Sequence, residues 1–349
     1  MIQLITHEFE LPLWHVFSIS RESTSVQPTL IVELSDGVHR GFGEATTNKY
    51  YGATIPLMRE ALDAVRSIVE SADPLEPAKL WEQTRPQLSA NPFAQCALDQ
   101  AAHDLWGKQQ GAPVYRLWGL STERIPQSNF TIGIDAIEVM VQKLLEMPGW
   151  PIYKIKLGTK YDLDIVRELR QHTKATFRVD ANCGWTADEA IFNSYELANL
   201  GVEFIEQPLP AADWAGVKRV FESSALPIIA DESCIAEADV DRCVGHFHGV
   251  NVKLVKCGGL TPAKRMVVRA RELGMKAMVG CMTESTIGIS AIAQLLPLLD
   301  YVDMDGAALL ASDVATGVKV DRGTCLYPAA NGTGAQLLND SNNTTNMPI

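Results

Sequence analysis

From residue 126 onward the chain alternates short apolar runs with longer stretches of helical periodicity, and five of the runs close on a charged residue. YKIK ends on Lys156, FRVD on Asp180, EFIE on Glu206, PIIAD on Asp231 and VNVK on Lys253, at successive intervals of 24, 26, 25 and 22 residues. Such an interval holds one strand, one helix and two short loops, so the period is a βα repeat. Eight strands are predicted, at 129–134, 152–157, 176–181, 202–206, 227–231, 250–255, 276–281 and 301–304, with IGISAIAQLLPLLD at 287–300 as the last crossover helix. Ahead of them, residues 1 to about 50 read as an antiparallel meander in which TLIVELSDG and VHRGFGEA pair around Asp36-Gly37. Helical spacing of Leu, Ala, Val and Trp follows at 55–72 and 76–89, and a third helix at 92–110 starts with Pro92 in the favoured first turn. The expected organisation is α/β: an α+β lobe at 1–125, a barrel of βα units at 126–306, and a segment at 307–349 that packs back on the first lobe and ends in a partly disordered tail rich in Asn and Thr.

The charged ends carry the chemistry. Parallel strands covered on both faces normally read as continuous Val, Ile and Leu runs, so lone charges closing them have no packing rationale. In a barrel all such strand ends open into one mouth. Asp180, Glu206 and Asp231 come from three consecutive strands spaced about 4.8 Å apart, near enough to converge on one ion. Each alone reads equally as a helix cap or a lysine's partner. Three in register point to a divalent cation, and an all-oxygen set suits Mg²⁺ or Mn²⁺ rather than zinc. Lys154 and Lys156, at i and i+2, face the same side of their strand, and two buried ammonium groups need anions beside them. Lys253 comes from a strand four further round and approaches the same ion from the opposite face, which describes a metal with a base on either side. Asn182 fits two readings, a hydrogen bond to a ligand carboxylate or the turn before Gly184.

Composition narrows the function class. With 349 residues, 46% hydrophobic and 21% charged, the chain has the make-up of a globular protein of two lobes. A net charge of −12 argues against a nucleic-acid partner, which calls for a basic face. Seven cysteines without a C-x-x-C pair indicate neither a disulfide framework nor a thiolate zinc site, and they fit a reducing cytoplasm. The opening MIQLITHEFELPLWH lacks a basic stretch before an apolar one, so no signal peptide is expected, and no run reaches the roughly 18 apolar residues of a membrane span. Gly41-Phe42-Gly43-Glu44 leads into a loop rather than a helix and is no dinucleotide site.

The segment ALDQAAHDLWGKQQGAPVYRLWG at 97–119, followed in order by KIKLG, VDANCGW, IEQPLP, ADES, NVKLVKCGG and GCMTESTIGISA, resembles the enolase superfamily over about residues 1 to 325. The likeness is to its muconate-lactonising subgroup and, within that, to the dipeptide epimerases. It implies a modified (β/α)₇β TIM-type barrel under an α+β capping domain, with a Lys base and Mg²⁺ stabilising an ene-diolate. On the matching positions, Lys156 and Lys253 become the two acid/base catalysts, Asp180, Glu206 and Asp231 the metal ligands, and Lys154 a helper beside the metal-bound carboxylate. The mandelate-racemase branch uses a late-strand His, and none of the seven histidines falls at a strand end. Asp303 and Asp305 after the eighth strand, again i and i+2, face one way and suit a substrate ammonium. Dipeptide epimerases are similar at this point. Glu284 supports the site or binds a lysine. In this family the cap loops near 15–25 and 46–56 choose the substrate; here they hold Tyr50, Tyr51 and Arg21, the last reading equally as a carboxylate partner or a solvated residue.

The implied activity is a Mg²⁺-dependent 1,1-proton transfer at the α-carbon of a dipeptide's C-terminal residue. Rivals within the subgroup are N-acylamino acid racemase, o-succinylbenzoate synthase and muconate-type cycloisomerase, none of which needs two aspartates for an ammonium. A rival of another class is a non-catalytic metal- or ligand-binding barrel, which needs no base on either face. The expected partner is a small dipeptide, without nucleic acid or membrane, and a homo-oligomer stays open.

Overall fold

The computed structural model of the chain describes residues 1–19 and 22–338. It opens with an antiparallel sheet in the order β1 (Gln3–Ser18), β2 (Ser23–Ser35) and β3 (Arg40–Thr46). Alternation along β2 divides its side chains between two cores. Leu30, Val32 and Leu34 join the main core, whereas Ile31 packs with Phe42 and with Ile287 of the barrel. Three helices follow, α1 (Ile55–Glu70), α2 (Pro77–Leu88) and α3 (Pro92–Gln109), each with a proline in its first turn. Asn91 caps α3 by accepting a hydrogen bond from Ala94 N at 3.1 Å. α3 lies so close to β3 that a Cβ at Gly43 would sit 2.1 Å from Ala97 O, and one at Gly41 2.4 Å from Ala101 O. The two glycines of the Gly-Phe-Gly-Glu segment are therefore there to let a helix approach a strand.

The second part is a ring of parallel strands: β4 (Phe130–Ile132), β5 (Ile152–Lys156), β6 (Thr176–Asp180), β7 (Val202–Glu206), β8 (Ile228–Ala230), β9 (Gly249–Val252), β10 (Lys276–Gly280) and β11 (Tyr301–Asp303). They lie in sequence order, and a parallel bridge between Ser128 and Val302 joins the two edge strands. This is a closed ring of eight parallel strands with an α+β cap, as the sequence led one to expect. The pattern misleads at β9, expected to run to residue 255. The strand stops at Val252 and Leu254–Cys257 forms a helical turn, because Gly258 and Gly259, at φ 95° and 119°, turn the chain back so that both donate to Leu254 O. The last crossover helix is also shorter than expected. It spans Thr286–Ala293 and gives way to a 3₁₀ turn at Leu296–Leu298, where Pro297 has no N–H to continue it.

Buried polar contacts bind the two parts. Glu44 of β3 accepts from Ser285 N, Ser285 Oγ and Gly288 N of the barrel. Asp99 of α3 accepts from Thr261 N and Oγ1. Beyond β11, Ala311 N donates to Pro12 O, and Thr333 N donates to Asp104 of α3 at 2.7 Å. Near the chain's end Gln336–Leu337 pairs with Ala315–Thr316, and of the tail expected to be partly disordered, residues 339–349 lie outside the described residues.

Candidate active site

Strand register sets the charged residues side by side. Lys156, Asp180 and Glu206 share one level of β5, β6 and β7, and Glu206 is level with Ile229, so Asp231 lies two positions further along on the same face. One carboxylate oxygen from each of Asp180, Glu206 and Asp231 lies within 4.8 Å of the others, and all three residues are buried. Lys156 Nζ donates to Asp180 Oδ2 at 2.7 Å, and Lys253 Nζ is 2.9 Å from Asp231 Oδ2. β5 and β9 are four strands apart in a ring of eight, so these two lysines stand on opposite walls.

Lys154 does more than its position suggested. Its Nζ is 2.8 Å from both Glu206 Oε2 and Asp303 Oδ2 and 3.3 Å from Asp180 Oδ2, so it bridges the three-carboxylate cluster and the aspartate pair. Burial opposes its charge, but Asp303, Glu206 and Asp180 outweigh burial and hold the ammonium well above the usual lysine range. Burial likewise opposes Lys253, which Asp231 nonetheless raises. Burial and the charges on Asp180 and Asp231 push Glu206 up to about 7, against the pull of Lys154 and Lys253. Glu206 Oε2 is buried and accepts no hydrogen bond, because Lys154 approaches it outside hydrogen-bonding geometry. Three converging hard oxygens, one of them without a donor, fit a small divalent cation such as Mg²⁺.

Asp303 Oδ1 accepts from Asn129 Nδ2 at 2.8 Å, and Asp305 Oδ2 accepts from Thr131 N. The two carboxyls also bond to each other: burial and the charge on Asp303 hold Asp305 well above the carboxylate range, while Lys154 holds Asp303 below it despite burial. A cavity of ≈ 410 Å³ lies over both groups, lined by Lys156, Lys253, Asp303 and Asp305 from the barrel and by Tyr50 and Tyr51 from the cap. The two tyrosine rings meet edge-on at 4.8 Å. Arg21 lies outside the described residues, although Ile19 and Glu22 on either side of it line the cavity. Asn182 lines the cavity as well and has the left-handed φ of 45° of a turn residue, and its backbone N donates to Asp180 Oδ1 at 2.9 Å. No lysine bonds Glu284 among the described residues; its Oε1 accepts from Met282 N at 2.8 Å.

Three supporting residues escaped the sequence reading. Asn251 Nδ2 donates to Glu206 Oε1 at 2.8 Å; its place two residues before Lys253 on one strand was the available signal. Gln207 Oε1 accepts from Asp231 N and Ser233 N, fixing the loop that carries Asp231. Lys256, three residues after Lys253, is brought by the helical turn to 2.6 Å from Asp231 Oδ1.

Comparison with known proteins agrees with this geometry. Residues 1–119 match the mandelate racemase / muconate lactonizing enzyme N-terminal domain, and residues 136–341 match the enolase C-terminal domain-like family. The chain is 58% identical over 337 residues to an L-Ala-D/L-amino acid epimerase of Flavobacterium johnsoniae, covering 97% of this chain and 100% of that one. It is 38% identical to an L-Ala-D/L-Glu epimerase of Bacteroides thetaiotaomicron, covering 95% and 86%. Among solved structures, a dipeptide epimerase of Methylococcus capsulatus complexed with Mg and L-Arg-D-Lys superposes with a TM-score of 0.87 at 32% identity, covering 96% of this chain and 98% of that one.

Proposed function

The chain belongs to the mandelate racemase/muconate lactonizing enzyme family of the enolase superfamily, and from that premise we propose that it is a Mg²⁺-dependent dipeptide epimerase acting on the α-carbon of the C-terminal residue. The observation that carries this reading is the pair of buried lysines, Lys156 and Lys253, on opposite walls with the carboxylate cluster between them. Binding alone requires no base on either face. In the proposed reaction one lysine removes the α-proton from its side and the other delivers a proton to the opposite side. Mg²⁺ held by Asp180, Glu206 and Asp231 would supply the Lewis acidity that makes an α-proton beside a carboxylate removable. Lys154 adds positive charge where proton loss leaves negative charge on the substrate. Asp303 and Asp305 receive the free ammonium, which takes the place of the proton between them. Tyr50 and Tyr51 border the epimerised side chain.

The names of the relatives support L-Ala as the N-terminal residue, with a variable C-terminal one. Among the described residues no helix is long and apolar enough to cross a membrane. A cytoplasmic setting is the proposal that cysteines without disulfides support. The test is incubation of the Mg²⁺-loaded protein with a mixed dipeptide library in D₂O, read by mass spectrometry. One-dalton gains confined to free-amino dipeptides, abolished by chelator, are expected. No gain on any dipeptide in the presence of Mg²⁺ overturns the reading.

A further inference from the structure

We propose that this cation site is built to refuse Ca²⁺, by occupying one oxygen of every carboxylate that faces the ion. The inference rests on the reading of Asp180, Glu206 and Asp231 as the ligands. Each of them has one oxygen turned toward Lys154, Lys156 or Lys253 and the other held by a different donor. Asp231 Oδ2 faces Lys253, while Oδ1 accepts from Lys256 Nζ at 2.6 Å. Glu206 Oε2 faces Lys154, while Oε1 accepts from Asn251 Nδ2 at 2.8 Å. Asp180 Oδ2 accepts from the cavity-lining Lys156 at 2.7 Å, while Oδ1 accepts from the backbone N of Asn182 at 2.9 Å.

The locks are held in place themselves. Lys256 is buried and also donates to Asp231 O, Cys234 O and Asn251 O, so it has no room to swing off the carboxylate. Asn251 lies against Gly280, where a Cβ would come within 2.7 Å of its Nδ2. Three carboxylates thus offer three oxygens. Mg²⁺ takes one oxygen per carboxylate in a tight octahedron at about 2.0–2.1 Å, whereas Ca²⁺ takes roughly six to eight oxygens at about 2.3–2.6 Å and gains from carboxylates that bind through both. Denying the second oxygen leaves Mg²⁺ served and Ca²⁺ short of ligands. Lys256, Asn251 and the Asn182 amide are positioning groups in this scheme and touch no reacting atom.

The test is calorimetric titration of the chelator-stripped full-length chain with MgCl₂ and with CaCl₂, without dipeptide, so that its outcome is independent of whether the chain is an epimerase. The natural chain is expected to bind Mg²⁺ more tightly than Ca²⁺. Asn251→Leu keeps the size and frees Glu206 Oε1; Lys256→Met frees Asp231 Oδ1. In each, the ratio of the Ca²⁺ to the Mg²⁺ dissociation constant should fall about tenfold or more, the scale on which groups behind metal ligands act. A merely structural role would weaken both ions in parallel. An unchanged ratio in folded Asn251→Leu overturns the proposal, as does a natural chain that prefers Ca²⁺. Should Lys256→Met fail to fold, Asn251→Leu, which removes no charge, decides alone.

Discussion

Glu44 and Ser285, 241 positions apart, are joined by three contacts: Ser285 N lies 3.0 and 3.1 Å from the two Glu44 carboxylate oxygens, and Ser285 Oγ donates to Oε2 at 2.5 Å. Gly288 N and Thr29 Oγ1 donate to the same carboxylate, so one buried cap residue covers the first turn of a barrel helix. Glu44→Leu leaves those donors unmet in the dry interface. A loss on the order of 3 kcal/mol is expected, since each unsatisfied buried group costs about 1–3 kcal/mol. Urea unfolding measures it, and a loss under about 1 kcal/mol would show that the cap is held mainly by apolar contact.

Glu284 makes stability depend on pH. Burial, then the charge on Glu44, push its carboxyl up to about 8 from an ordinary 4.5, against the pull of Met282 N and Lys253. The folded chain therefore keeps a proton that the unfolded chain releases. Stability is full below the lower value, falls as pH rises through the interval and levels off above the upper one. Each pH unit of the interval is worth up to ~1.4 kcal/mol. In chelator, unfolding free energies at about pH 6 and about pH 9 should converge in Glu284→Gln relative to the natural chain. Equal slopes in both proteins would remove Glu284 as the cause.

Lys156 and Lys253 should divide the two faces of the substrate. With either replaced by Ala, epimerisation of both isomers should stop, while α-proton exchange continues, slowed, for the one isomer whose proton faces the surviving lysine. The favoured configuration should be opposite in the two variants. NMR loss of the α-proton signal in D₂O reads this directly. Near-normal epimerisation by Lys253→Ala would point to a one-base, lyase-like reaction.

Asp305 offers a cleaner test of the ammonium seat than Asp303, because Asp303 also holds Lys154 at 2.8 Å. Asp305→Asn should raise KM roughly ten- to a hundredfold, the worth of one charge-assisted contact at about 1.5–3 kcal/mol, with a smaller change in kcat. N-acetylated dipeptides should be poor substrates of the natural enzyme. Equal rates for free and acetylated dipeptides would favour an N-acylamino acid racemase.

The regular recurrence of Lys156, Asp180, Glu206, Asp231 and Lys253 was enough, on sequence alone, to predict a βα barrel and to bring these five residues into one mouth. Strand alternation and a constant repeat length are local properties, and in a closed ring they leave such residues only one place to meet. The same periodicity placed Asp303 and Asp305 together. It had no hold on contacts made by departure from the pattern. The glycine pair at 258 and 259 turned an expected strand into a helical turn and carried Lys256 onto Asp231. Barrel closure set Lys154 against Asp303, 149 positions away, and the docking of α3 on β3 explained Gly41 and Gly43, which in the sequence looked like a stray nucleotide motif. Which face a side chain takes is written in its neighbours along the chain. Which partner occupies its second oxygen depends on strands and turns brought together only when the barrel and its cap close, so the tertiary structure alone decided it.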